Sequence, residues 1–215
     1  MEVEEFCILC MELIGTVAFS ISGAMVGIRK KMDVFGVCML GIVTAVGGGM
    51  VRDVIIGRTP VAFTKPIYVE TALISALIPF CFFYFNRKIT ETRWKDIYAK
   101  VIFLMDSVGL GIFTVVGVSA GIQFEYEENM FFLCFLGAMT GVGGGLLRDM
   151  MAGEPPYIFT KHIYACASIA GAICYVIVDR NFGQIAALVI ATVLVVFIRS
   201  GAAHYRWNLP TVKWL

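Results

Sequence analysis

Four charged residues stand inside strongly apolar sequence, and they come as two copies of one pattern. Gly47-Gly48-Gly49 is followed by two apolar residues, Arg52-Asp53 and Gly57; Gly143-Gly144-Gly145 is followed by two apolar residues, Arg148-Asp149 and Gly153. A charge in hydrocarbon costs at least about 2.5 kcal/mol, so such residues pair, face water or line a path. Each glycine weakens a helix by roughly 1 kcal/mol relative to alanine. Three in a row also bare every face of the helix, which suits close packing of backbones. The same defect at matching positions in two halves points further, to a kinked or broken helix at a transport site. One half-helix would then end in free carbonyls suited to a cation, and the next would begin with N–H groups suited to a carboxylate. Sequence neighbours project about 100° apart on a helix. The symmetry therefore allows Arg52 to pair with Asp149 and Arg148 with Asp53. Both a structural lock between the halves and a place in the path remain open for these pairs.

Glu12 and Asp106 are two further acids related by the duplication, each near the start of an apolar segment. They are candidate vestibule charges, although acids also suit helix N-termini. Ser22 and Thr114 are candidate path-lining hydroxyls, with Thr16, Ser20, Ser107 and Ser119 in the same segments; such side chains also bond their own helix backbone. Lys65 and Lys161 close two "FTK" stretches and are expected to anchor loops at the interface. Cys7 and Cys10 form an isolated C-x-x-C among seven cysteines, read as apolar packing residues. His162 and His204 are too far apart for a metal site. No nucleophile–base set is present, so no enzyme, no cofactor and no metal are expected.

Long apolar elements must position these groups. The chain is 59% hydrophobic and 15% charged, well below the charged share of a soluble domain, which reads as a polytopic membrane protein. A net charge of +1 offers nothing to nucleic acid. The acidic start, Glu2 to Glu5, predicts no cleaved signal peptide. Seven segments are expected to span, at about Phe6–Ile28, Val34–Ile56, Ile67–Phe85, Val101–Ile122, Met130–Ala152, Ile163–Val178 and Ile185–Ile198. In lipid all must be helical, because each backbone group needs a partner within its own segment. The matches extend beyond the glycines: Pro60 with Pro156, Phe63–Lys65 with Phe159–Lys161, Tyr68 with Tyr164, Gly15 with Gly109, Phe19 with Phe113 and Gly23 with Gly117.

A first three-helix repeat is thus expected over 6–86, a second over 97–179 and an unmatched seventh helix over 183–200, all in one membrane domain. Three spans per copy invert the second copy, giving two inverted repeats of an all-α protein. Basic residues concentrate on one side, at Arg29–Lys31 and from Arg87 to Lys100, which predicts the N-terminus outside and the C-terminus in the cytoplasm of a bacterial or archaeal inner membrane. That basic face could also meet anionic lipid.

Paired G-G-G-x-x-R-D-x-x-x-G motifs in inverted three-span repeats, with a seventh span added, resemble the prokaryotic branch of the trimeric intracellular cation channels. Its bacterial members are also described as glycine-transporter-domain proteins. The resemblance runs from about Phe6 to Arg199. It implies a seven-helix subunit, a homotrimer and a path through each subunit beside Gly47–Gly49 and Gly143–Gly145. The expected solute is glycine or another small amino acid, whose two charges would use both helix ends; the alternative is a potassium-permeable monovalent cation channel.

Overall fold

The computed structural model describes residues 2–86, 91–160, 163–205 and 207. Arg87, Lys88, Lys161, His162, Arg206 and Lys213 lie outside the described residues. Among those described, the chain is all helical: α1 (Glu2–Arg29), α2 (Val34–Ile55), the short α3 (Val61–Thr64), α4 (Ile67–Phe85), α5 (Glu91–Gln123), α6 (Met130–Met151), the short α7 (Tyr157–Thr160), α8 (Tyr164–Phe182) and α9 (Gln184–His204). All but α3 and α7 are long and apolar enough to cross a membrane, giving seven spans among the described residues.

Local chemistry repeats as faithfully as the glycines. Asp33 caps α2 by accepting from the Gly36 N–H at 2.7 Å, and Asn129 caps α6 by accepting from the Phe132 N–H at 3.0 Å. Both helices end in the same turn. Gly57 and Gly153 take φ of 77° and 65°, which a side chain resists. Their N–H groups bond Val54 and Met150 carbonyls, and the next N–H groups, of Arg58 and Glu154, bond Asp53 and Asp149 carbonyls. The glycine closing each motif is therefore the helix stop.

Two helices outrun their sequence expectation. α5 begins at Glu91 rather than near Val101, so the basic stretch through Arg93, Lys95 and Lys100 is helical. Its apolar side explains the extension: Trp94 meets Phe83 edge-on with ring centroids 4.4 Å apart. α9 continues past Ile198 to His204, which places Arg199 inside a helix.

The centre is a bundle of α1, α2, α5 and α6, with α2 crossing α6 and α1 crossing α5. α4 covers α1 and α2, while α8 covers α5 and α6. α9 leans on α5 and α8, so the unmatched helix belongs to the second repeat's flank. The outward sides of α4, α8 and α9 stay apolar, at Ile74, Ile78, Ile177, Val193 and Phe197 among others, as a lipid-facing surface requires.

Of the kink or break expected at the glycines, the break is absent. α2 and α6 each run as one helix through all three glycines. The physical reason is the α2–α6 crossing. A Cβ built on Gly48 would lie 2.3 Å from the Thr140 carbonyl oxygen, and one on Gly144 would lie 2.1 Å from the Thr44 carbonyl oxygen. The Gly143 position faces the Gly48 Cα at 3.0 Å. Backbone rests on backbone, and lipid offers helices little other reason to associate than such packing.

Candidate functional site

The two Arg-Asp pairs build one local device twice. In the first repeat, Arg52 Nε donates to Asp53 Oδ1 at 2.8 Å, and the Val61 N–H at the head of α3 donates to Asp53 Oδ2 at 2.8 Å. In the second, Arg148 Nε donates to Asp149 Oδ1 at 2.8 Å, and the Tyr157 N–H at the head of α7 donates to Asp149 Oδ2 at 2.8 Å. The carboxylate is held by backbone arriving after the glycine turn, and the long arginine side chain curls back to it. The cross-repeat pairs Arg52–Asp149 and Arg148–Asp53 are therefore not formed. Arg148 reaches the first repeat instead through a hydroxyl, its Nη1 donating to Ser22 Oγ at 2.5 Å.

Around this shared device the repeats differ. In the first, Asp53 also holds Arg58, whose Nε lies 2.9 Å from Oδ1. The Glu12 carboxylate accepts from the Tyr68 hydroxyl. Together Glu12, Arg52, Arg58 and Tyr68 line a cavity of about 770 Å³, with Glu4, Glu5 and Lys65 on its walls. A small pocket of about 40 Å³ shares Glu12, Arg52 and Tyr68 with it and is lined also by Thr16, Gly49 and Phe113. Phe113 in turn meets its repeat counterpart Phe19 with ring centroids 5.2 Å apart.

In the second repeat, Asp106 is fully buried in mid-helix, deeper than the helix-start position expected for it. Its Oδ1 accepts from Arg148 Nη1 at 2.7 Å, and its Oδ2 faces Arg199 Nη2 at 3.5 Å. Arg148 also stacks over Tyr157 at 5.2 Å, and Arg199 over Tyr164 at 4.6 Å. Two guanidiniums and two carboxylates thus close into a buried neutral set.

The six glycines divide accordingly. Gly48, Gly143 and Gly144 make the helix crossing, and Gly47 meets the Leu147 side chain. Gly49 opens toward Arg52, and Gly145 lies beside Tyr164, Asp106 and Arg148. Ser22 joins the second charged set. Thr114 exchanges a 2.5 Å hydrogen bond with Ser168, tying α5 to α8 within the bundle. Arg58, Arg199 and the roles of Tyr68 and Tyr164 escaped the sequence reading. The tyrosines carried a signal, since they recur in both halves. Arg199 was obscured because the purely apolar run before it ends at Ile198.

One face of the molecule carries a further closure. Glu154 takes ion pairs from Arg29 and from Lys30, the latter at 3.0 Å, joining the end of α1 to the turn after α6. Burial raises its carboxyl, but the hydrogen bonds from Lys30 and Arg29 prevail and hold it below the ordinary carboxylate value. Burial pushes the neighbouring Tyr157 hydroxyl up.

The glycine transporter family model matches residues 9–84 and 103–180, one stretch per repeat. This chain belongs to that family. A UPF0126 membrane protein of Deinococcus radiodurans is 36% identical over 93% of this chain and 89% of its own length. The inner membrane protein YadS of Escherichia coli K12 is 33% identical over 94% of both chains. Among solved structures, the fold matches a trimeric intracellular cation channel orthologue from Rhodobacter sphaeroides with a TM-score of 0.81 and 31% identity, covering 93% of this chain and 98% of that one. A prokaryotic channel of the same kind in 0.5 M KCl matches with a TM-score of 0.84 and 28% identity over 95% of this chain and 100% of that one. The chain is therefore a multi-pass membrane transport protein, and its family and structural neighbours are channels and transporters.

Proposed function

We propose that this protein is a potassium-permeable monovalent cation channel, with a path through each subunit of a homotrimer. The observation that carries this reading is the unbroken course of α2 and α6 through their glycines. The half-helix N–H groups expected to hold an amino acid's carboxylate do not exist in the middle of a continuous helix, and the cavity's guanidiniums, Arg52 and Arg58, are already taken by Asp53. A cation needs only carboxylates and water. Glu4, Glu5 and Glu12 line the cavity, and Arg52 and Arg58 at its floor are both held by Asp53. The full-length similarity to trimeric cation channels supports the same solute and assembly.

The path enters by the Glu12 cavity, passes Gly49 and the Phe19–Phe113 pair, and leaves past Gly145, Asp106 and Arg148. Each repeat supplies one entrance, and the 6–86 and 97–179 segments act as paired gates. The Glu12 entrance faces outside, and the Arg29–Glu154 closure faces the cytoplasm.

Purified protein in liposomes tests this reading. Potassium flux with unitary currents and no glycine uptake is the expected result. Saturable glycine uptake without potassium currents would return the amino-acid reading, and a reporter placed in the Arg93–Lys100 stretch that appeared outside would reverse the orientation.

A further inference from the structure

The repeats pose a question at their paired acids. Glu12 and Asp106 occupy corresponding positions, and each stands next to the corresponding tyrosine, Tyr68 or Tyr164. Glu12 opens on a cavity. Asp106 instead has a second guanidinium beside it, from α9, the helix with no counterpart in the first repeat.

The two arginines at Asp106 are held very differently. Arg148 is anchored by Asp149, Ser22 and Asp106 together, at 2.8, 2.5 and 2.7 Å. Arg199 has one polar contact, 3.5 Å long, and its Nε has no hydrogen-bond partner although the side chain is 4% exposed. Its other neighbours are the ring faces of Tyr164 and Phe103, at 4.6 and 5.4 Å. A ring face attracts any cation, organic or metallic. A buried carboxylate must have a counter-charge, and here the weaker of its two is displaceable.

We propose that Arg199 is a tethered cation that occupies the ion position at Asp106, and that a permeating monovalent cation takes its place when it swings away. The device makes the second repeat's half of the path self-blocked, while Arg148 stays fixed as structure. It rests on the cation-channel reading and names the residue that limits that flux.

The test is potassium flux of full-length wild type, Arg199→Gln and Arg199→Lys in liposomes, with the potassium-to-chloride permeability ratio read from reversal potentials. Arg199→Gln is expected to raise potassium flux several-fold and to raise the permeability ratio, because Asp106 gains an unmatched share of negative charge. Arg199→Lys, which restores a tethered cation, is expected to return flux toward wild type. Removing Arg199 leaves Asp106 bonded to Arg148, so the variant should fold; thermal unfolding within a few degrees of wild type confirms it. If wild type conducts potassium and a folded Arg199→Gln conducts equally or less, the tethered-cation role is overturned while the channel reading stands. If Arg199→Gln conducts more but Arg199→Lys conducts just as much, the residue acts by packing and the proposal also fails. If none of the three carries potassium, both are overturned.

Discussion

The two Arg-Asp sites start from one pattern and end in opposite states. Asp53 and Asp149 hold the same backbone N–H and the same preceding arginine at the same distance of 2.8 Å. Yet the first site floors a cavity of about 770 Å³, and the second is sealed, with Arg148 and Asp106 wholly buried. Single substitutions at corresponding positions make the difference. Arg58 pairs with Asp53 and lies over the Phe124 ring at 5.1 Å, whereas its counterpart Glu154 binds Arg29 and Lys30 across the helix ends. The second site also receives Arg199 from α9. Symmetric scaffolding with asymmetric charges thus leaves one site beside a cavity and the other sealed.

Four substitution pairs probe this contrast. The largest effect is expected at the arginines. Arg148→Gln strips a partner from two buried carboxylates and should cost about 3–5 kcal/mol. Arg52→Gln leaves Asp53 with Arg58 and the Val61 N–H, and should cost about 1.5–3 kcal/mol, the worth of a hydrogen bond to a charge. Thermal unfolding of the two variants in detergent compares them; equal losses would mean the sites are energetically alike.

Glycines come next. Gly48→Ala and Gly144→Ala both force a Cβ against a carbonyl oxygen that cannot yield, and each should lose about 1–3 kcal/mol. Gly145→Ala meets the Tyr164 hydroxyl at 3.0 Å and should also destabilise. Gly49→Ala has only Arg52 Nη2 within reach, at 3.8 Å, and should be neutral or gain up to about 1 kcal/mol of helix propensity. A destabilised Gly49→Ala would show that the first site is as closed as the second.

Smaller losses are expected where hydroxyls tie α1 to α4 and α5 to α8. Ser20 donates to the Ala72 carbonyl and Ser168 bonds Thr114, both at 2.5 Å. Ser20→Ala and Ser168→Ala should each cost about 1 kcal/mol, and a clear inequality in their unfolding temperatures would place the asymmetry deeper in the bundle.

The smallest effect is at Glu154, a partly exposed pair worth under about 1 kcal/mol. Because its carboxyl is depressed in the folded protein, its contribution is complete above the ordinary value of about 4.3 and is lost as pH falls through the lower folded value. The gap in unfolding temperature between wild type and Glu154→Gln should therefore close on acidification below that range. A gap that persists there would detach the Arg29–Lys30–Glu154 closure from stability.

Much of this architecture was legible in the residue order. Long apolar runs mark the spans, because a bilayer of fixed thickness demands them. The duplication shows in Gly47–Gly57 against Gly143–Gly153, and also in the caps Asp33 and Asn129, a signal available but unused. The triple glycines were legible as exceptional, with close packing and a kinked or broken helix as the two readings. Their cost in an isolated helix argues for a break, whereas the α2–α6 crossing compensates that cost by letting Gly48 and Gly144 touch opposing carbonyls. The charged partners were legible only as a set. Arg52 and Arg148 chose the adjacent aspartates because backbone N–H groups from Val61 and Tyr157 had already fixed those carboxylates.

The sequence by itself determined seven membrane helices, their duplication and inversion, and which few charges must be accommodated in hydrocarbon, since these follow from composition, periodicity and segment parity. Only the tertiary structure decided that the helices stay whole, that Arg199 reaches Asp106, and that one site is open while the other is sealed. Those outcomes depend on contacts between residues far apart in the chain, where a few tenths of an ångström at a glycine crossing set which side chains can meet.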